Sequence, residues 1–418
     1  MKNEFKRVNI TFKDTDTFSV YYNYYKLLNR FLATANPNTL YNYAGFLKIF
    51  PYVQYINMST AEAITKARNW TDCIALLNET TPDILDYFFV TYHTNPAVKN
   101  EVETIARRLK QAFNKTLQNN SWIENKILHP LQKQLEKVEL KIGYPDTLLN
   151  ISVLETRYKY VPFFPLNISL TEALYYIQEN LYKMRLRKFR YPREGDLGWD
   201  HSPRERRTFQ NFYWTKIEIP YALFESPFYQ QGLPRSFNYG GIGSIIAREL
   251  ARGFSLKGIN RCTYRHCDGP VTEETLKLLK EKTDCFMTQY RAVDKELHLN
   301  VPESWYSETL SEDLADNTGL QRALNAYNNV LDEECEGLDT RIKGLQRFSG
   351  MQLFFISSAR TMCRIADKDT LFQVTGNPVF STARNRVNEP MKNLQEFAKA
   401  FNCSIGSRMH PSKNCSWL

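Results

Sequence analysis

The sequence has no apolar run approaching the roughly 18–20 residues needed to cross a bilayer, so no membrane span is expected within its 418 residues. The opening, Met1-Lys2-Asn3-Glu4-Phe5-Lys6-Arg7, carries charge with no apolar stretch behind it and does not read as a secretory signal. No Cys-x-x-Cys pair occurs, so the cysteines suggest no metal site. Internal repeats and low-complexity tracts are also missing, which excludes a repeat array.

What is present is ordinary for a globular chain of this size. Apolar residues make up 43% and charged residues 24%, and the length predicts two domains. The formal charge of +9 is mild for a chain this long and reads as a solvated basic surface, with no nucleic acid expected as a partner. Ten Asn-x-Ser/Thr sequons, at Asn9, Asn57, Asn69, Asn78, Asn114, Asn119, Asn150, Asn167, Asn402 and Asn414, would accept glycans if exposed in a secreted protein. The cysteine count is eight, and an even number fits disulfides kept in an oxidising compartment. These two features place the chain in the secreted space or on the extracellular face of the plasma membrane.

Apolar spacing predicts helices over the first part of the chain. Val98, Val102, Ile105, Leu109, Phe113 and Leu117 recur at steps of three and four. After Asn119-Asn120-Ser121, a second helix carries Leu128, Leu131, Leu135 and Val138, and is expected to stop at Gly143-Tyr144-Pro145. Residues 183–207 hold nine basic and four acidic residues among prolines and glycines, and read as an exposed connection. Alternation in Phe212–Pro220 predicts a short strand. Asn238-Tyr239-Gly240-Gly241-Ile242-Gly243 predicts a tight turn before a helix from about Ser244 to Gly253. Its glycine spacing fits neither the dinucleotide nor the P-loop pattern.

That helix reads Ala247-Arg248-Glu249-Leu250-Ala251-Arg252-Gly253-Phe254. Residues 248 and 252 lie one turn apart on one face, with Glu249 between. In a zinc peptidase the same spacing is His-Glu-x-x-His, where two imidazoles hold the metal and the glutamate activates a water. With the glycine segment before it, this stretch resembles the active-site helix of the neprilysin / endothelin-converting-enzyme family. Ser311-Glu312-Asp313-Leu314-Ala315-Asp316-Asn317-x-Gly319-Leu320 resembles that family's second motif. Further resemblance lies in Glu225-Ser226-Pro227-Phe228-Tyr229, in Ile142-Gly143-Tyr144-Pro145-Asp146, and in the end of the chain from Ala400-Phe401-Asn402-Cys403 to Asn414-Cys415-Ser416-Trp417. Together these cover nearly the whole chain in the family's order.

The resemblance implies a mainly α fold, α+β in its C-terminal part. It further implies a partial helical lobe over 1–182, a basic connection over 183–207 and a thermolysin-like peptidase domain over 208–418. Glu249 and Asp316 take the places of the catalytic glutamate and the aspartate behind the metal, Glu312 that of the third zinc ligand, and Arg386 that of the substrate-binding arginine. The departures are chemical. Arg248 and Arg252 replace both histidine ligands, and Phe380 stands where an oxyanion-stabilising histidine belongs. Gln210-Asn211-Phe212-Tyr213 replaces Asn-Ala-Phe-Tyr in the substrate-binding segment, so Gln210 and Asn211 mark its place.

A guanidinium has five donors and no lone pair to give a metal. No cofactor is therefore expected, and the chain reads as a degenerate, N-terminally short family member, a pseudo-peptidase. Arg248 and Arg252 are expected either to cross-link two helices through arginine–carboxylate forks to Glu312 and Asp316, where zinc once did, or simply to point into a water-filled cleft. The expected partners are extracellular peptides or proteins, including an active family member. The alternative, which resemblance alone would suggest, is a zinc endopeptidase cleaving extracellular peptides. The resemblance also implies a Cys285–Cys415 disulfide. Cys262 and Cys267 are close enough in sequence to pair, and Cys335 with Cys363 is a further expected pair. Cys73 and Cys403 match family cysteines whose partners lie further towards the N-terminus, and are left either as free thiols or as a pair with each other.

Overall fold

The computed structural model describes residues 2–13, 15–17, 21–50, 70–119, 125–211, 216–255, 273–296, 302–363 and 380–417. The chain is mainly helical, with one small sheet of three strands among the described residues. It divides into two compact units, one formed by residues 1–92 and 145–200, the other by 93–144 and 201–418.

The first unit is built of helices, including Tyr22–Thr34, Pro37–Ile49, Trp70–Thr80 and Leu170–Arg187. Asn36 caps the second of these, accepting from the backbone N–H groups of Asn38 and Thr39 ahead of a proline at the first helical position. Several basic residues of the segment around 183–200 are tied down within this unit. Arg187 donates to Glu194 and to the Val8 carbonyl, and Arg190 to Asp16 at 2.6 Å.

The second unit carries the site. Its first helix, α1 (Pro96–Gln118), buries Val98, Val102, Ile105, Leu109, Phe113 and Leu117, the face that apolar spacing predicts. Next comes α2 (Asn125–Lys137), with Leu128, Leu131 and Leu135 buried. The helix ends there rather than at Gly143: Glu139–Gly143 is a strand, β1. The difference is tertiary in origin. β1 lies parallel to β3 (Lys216–Pro220), with Glu139 opposite Lys216 and Gly143 opposite Pro220, and this ladder supplies hydrogen bonds that a helix would have made internally. β2 (Phe209–Asn211) runs antiparallel along the other edge of β3, with Gln210 opposite Ile217. Glu218 on β3 is buried, yet satisfied by His201 Nδ1 and Lys216 Nζ, each at 2.8 Å.

The glycine segment also differs from expectation. Arg235–Asn238 is helical, Tyr239–Gly243 continues as one wider π-type turn, and α3 (Ser244–Arg252) follows without a break. The glycines there serve close approach rather than a reversal of direction. A Cβ at Gly240 would fall 2.1 Å from the Phe354 carbonyl oxygen, and one at Gly241 would fall 2.1 Å from that of Phe228.

The longest helix, α5 (Glu303–Glu334), runs through the unit and packs against α1, α3, α4 (Glu273–Glu296) and α7 (Ala383–Lys392), while α6 (Gly350–Arg360) meets it where the ring of Phe354 stacks on that of Tyr327. Every residue of α5 from Thr309 to Leu320 is buried, the signature of a helix enclosed on all sides. α3 crosses α5 at Gly319, where a Cβ would lie 2.7 Å from both the N and the Cα of Arg248. Cys285 on α4 is joined to Cys415, as the resemblance implied. Cys335 and Cys363 are free, so the expected pair between them does not form. Cys335 caps the end of α5 and Cys363 follows the end of α6, and each helix carries its thiol to its own place. Cys73 and Cys403 are free as well. Cys262 and Cys267 lie outside the described residues, as do the sequons Asn57 and Asn69. Of the other sequons, Asn9, Asn78, Asn119, Asn150, Asn167, Asn402 and Asn414 are exposed and Asn114 is half-buried.

Candidate functional site

The α3–α5 crossing brings the candidate residues together. Positions 248, 249 and 252 fall on the part of α3 that meets α5, and Gly319 permits an approach close enough for side chains to reach across. Arg248 donates from Nη2 to Glu312 Oε2 at 2.7 Å and from Nη1 to Glu249 Oε1 at 3.2 Å. Its Nε lies 2.7 Å from Asp316 Oδ1, an ion contact off the line of a hydrogen bond. Arg252 reaches the remaining oxygens: Nη1 to Glu249 Oε2 at 3.0 Å and Nη2 to Glu312 Oε1 at 2.9 Å.

From α7, Arg386 completes the cluster. Its Nε and Nη2 make a two-pronged contact with Asp316, at 2.7 Å to Oδ2 and 3.0 Å to Oδ1. Three arginines thus face three carboxylates, and every carboxylate oxygen of Glu249, Glu312 and Asp316 meets a guanidinium. Glu249 is fully enclosed, with 0% of its side chain exposed. Burial works to lower the pKa of Arg252, but Glu249 and Glu312 outweigh it and the net direction is up. The same balance, with Asp316 as the dominant partner, raises Arg386.

Phe380 stands over this cluster. Its ring centroid is 4.8 Å from the Arg386 guanidinium carbon and 5.3 Å from that of Arg248, within reach of a cation–π contact with each. Beneath lies Asp313, which sequence reasoning passed over although it sits inside the second motif. Burial pushes its pKa up to about 8; Ser381 works against that shift and the charge of Asp316 adds to it. Its Oδ2 accepts from Thr309 Oγ1 and Ser381 Oγ, both at 3.0 Å. The only advance signal was its position, one residue from Glu312 on a helix whose opposite side also had to be buried.

Gln210 and Asn211 sit on β2, and Gln210 is not among the described residues that line the cleft beside the cluster. The Gln210 Oε1 is buried and accepts no hydrogen bond. It is the residues leading into β2, Arg206, Arg207 and Thr208, that line the cleft, together with Arg248, Asp316 and Arg386. The cleft volume is about 230 Å3. Among the described residues, no group of three or more His, Cys, Asp or Glu side chains is arranged to hold a metal ion. No helix among them is long and apolar enough to cross a membrane.

Comparison with known proteins agrees with this architecture. The chain is 28% identical over 356 residues to an endothelin-converting enzyme homolog of Locusta migratoria, covering 83% of this chain and 46% of that protein. It is 26% identical over 371 residues to human neprilysin, covering 85% of this chain and 46% of the relative. The chain therefore spans about half the length of the curated relatives it matches. Its fold matches that of a zinc metalloprotease of Mycobacterium tuberculosis in the open state, with a TM-score of 0.65 at 20% identity, over 84% of this chain and 53% of that one. Two models described as Peptidase family M13 match residues 3–145 and 211–417, most of the sequence between them, and the chain belongs to that family.

Proposed function

We propose that this chain is a non-catalytic member of its family, a pseudo-peptidase that keeps a cleft for peptides or proteins. One observation carries the reading: the place for a metal between α3 and α5 is filled by an ion network. Zinc needs donors with a free lone pair, and the two guanidinium groups at 248 and 252 have none. The three acidic groups that remain are each held by arginine. These residues do not fit the metal. Two fixed positive charges would also repel a dication by several kcal/mol at an effective dielectric near 20.

The same network removes the general base. Glu249 would have to accept a proton from water, but both its oxygens accept from arginine at 3.0–3.2 Å. Phe380 offers a ring face where a donor to an oxyanion would be needed, and loss of one such donor typically costs about 10²–10³ in rate. In this reading Arg386, held by Asp316, keeps the cleft wall in shape, and Gln210 and Asn211 mark the altered substrate strand. The ligands are extracellular peptides or proteins, an active family member among them. The exposed sequons and the Cys285–Cys415 disulfide support a secreted or cell-surface glycoprotein.

The test is made on the native protein. Metal content is measured by mass spectrometry, and a quenched fluorescent peptide reports both binding, by polarisation, and cleavage. The expected outcome is binding with less than about one-tenth equivalent of zinc and no turnover, since a working site holds its metal tightly. One equivalent of zinc with cleavage would establish the endopeptidase reading in its place.

A further inference from the structure

The charges around the cleft are not all compensated. Among the described residues lining it are four arginines, Arg206, Arg207, Arg248 and Arg386, and one carboxylate, Asp316. Asp316 is already held by Arg386 and Arg248, and Arg248 also meets Glu249 and Glu312. The network is therefore neutral by formal charge, leaving Arg206 and Arg207 as the excess. Arg206 forms no ion pair among the described residues. Arg207 has only a loose contact, its Nε 3.9 Å from Glu205 Oε2 with both side chains largely exposed, and such contacts are worth about 0–1 kcal/mol. Its guanidinium lies 4.8 Å from the centroid of Phe209, within reach of a cation–π contact. The same cleft is lined by the apolar side chains of Leu223, Phe228, Leu320 and Met391.

We propose that the cleft selects peptides that carry a carboxylate beside an apolar side chain, and that Arg206 and Arg207 receive the carboxylate. This rests on the reading of the cleft as a peptide-binding site and adds the class of peptide. A guanidinium matches a carboxylate fork to fork, and a cation on a low-dielectric wall attracts an anion more strongly than one in open water. The apolar side chains lining the same cleft reward burial of a neighbouring aliphatic or aromatic side chain. The carboxylate comes either from an acidic side chain or from a free chain end, and both present the same group.

Three peptides separate the sources in calorimetric titrations at low salt. They are acetyl-Ala-Leu-Phe-Glu-Ala amide, acetyl-Ala-Leu-Phe-Gln-Ala with a free carboxylate end, and the neutral acetyl-Ala-Leu-Phe-Gln-Ala amide. At least one carboxylate peptide is expected to bind about fivefold tighter than the neutral one, the scale of one favourable ion pair near a surface. The better of the two identifies the source. In the double variant Arg206→Gln, Arg207→Gln the preference should vanish while the neutral peptide binds as before. Equal affinity for all three overturns this inference and leaves the peptide-binding cleft standing. A preference that survives the double variant overturns the assignment to these two arginines. No binding of any peptide overturns the cleft reading itself.

Discussion

Asp313 illustrates what one residue gains from its surroundings. Its carboxyl is enclosed beside Asp316, and ionising it would place a second negative charge in the same low-dielectric volume. Its pKa in the folded protein, about 8, lies above the value near 4 of a free aspartate. The folded state therefore holds this proton more tightly than the unfolded chain does. That stabilisation is complete below about pH 4 and declines as pH rises through about 8. Asp313→Asn fixes the neutral form at nearly the same shape. Urea unfolding of the parent between pH 5 and pH 9 should show stability falling by at least about 1 kcal/mol more than in the variant. Parallel profiles for the two proteins would refute the assignment.

At the scale of elements, the question is what holds α3 to α5. Gly319 allows the contact and the ion network fills it. Breaking a buried pair by removing one partner leaves uncompensated charge and costs about 3–5 kcal/mol. Glu312→Lys both removes a partner and adds a cation beside Arg248 and Arg252, so a loss at or above that range is expected in the unfolding midpoint. Glu308→Lys makes the same charge change on an exposed position of the same helix and should cost less than about 0.5 kcal/mol. Similar small losses for both would mean that the arginines do not staple the helices. Phe380 closes this cluster from above, and its two guanidinium contacts are worth about 0.5–1 kcal/mol each.

Across the whole molecule, the Cys285–Cys415 bond links α4 to the C-terminal segment across 130 residues. Trp417, two residues on, is buried and donates to the Phe254 carbonyl at 2.8 Å, next to the end of α3. The backbone N–H of Cys415 donates to Asn393, whose amide donates to Asn317 on α5. The bond therefore anchors a segment that touches the helices of the site. Cys285→Ser should lower stability by about 2–4 kcal/mol, the range typical of a native disulfide. The variant should also match the parent measured under reducing conditions, and an unchanged melting temperature would show that the hydrogen bonds suffice.

The reading of residues 98–117 as a buried helix face needed only the spacing of apolar side chains, because a helix places positions three and four apart side by side wherever it sits. The unsuitability of Arg248 and Arg252 as metal ligands was equally legible, because a guanidinium lacks a lone pair in any environment. The strand at Glu139–Gly143 was not, because its backbone groups are satisfied by β3, more than seventy residues away. Nor were the raised pKa of Asp313, the free thiols of Cys335 and Cys363, or the place of Arg206 and Arg207 in the cleft lining. The identity of a side chain sets what it is able to do. Its partners, its burial and the field around it come from segments far off in the chain, and those are settled only when the helices pack.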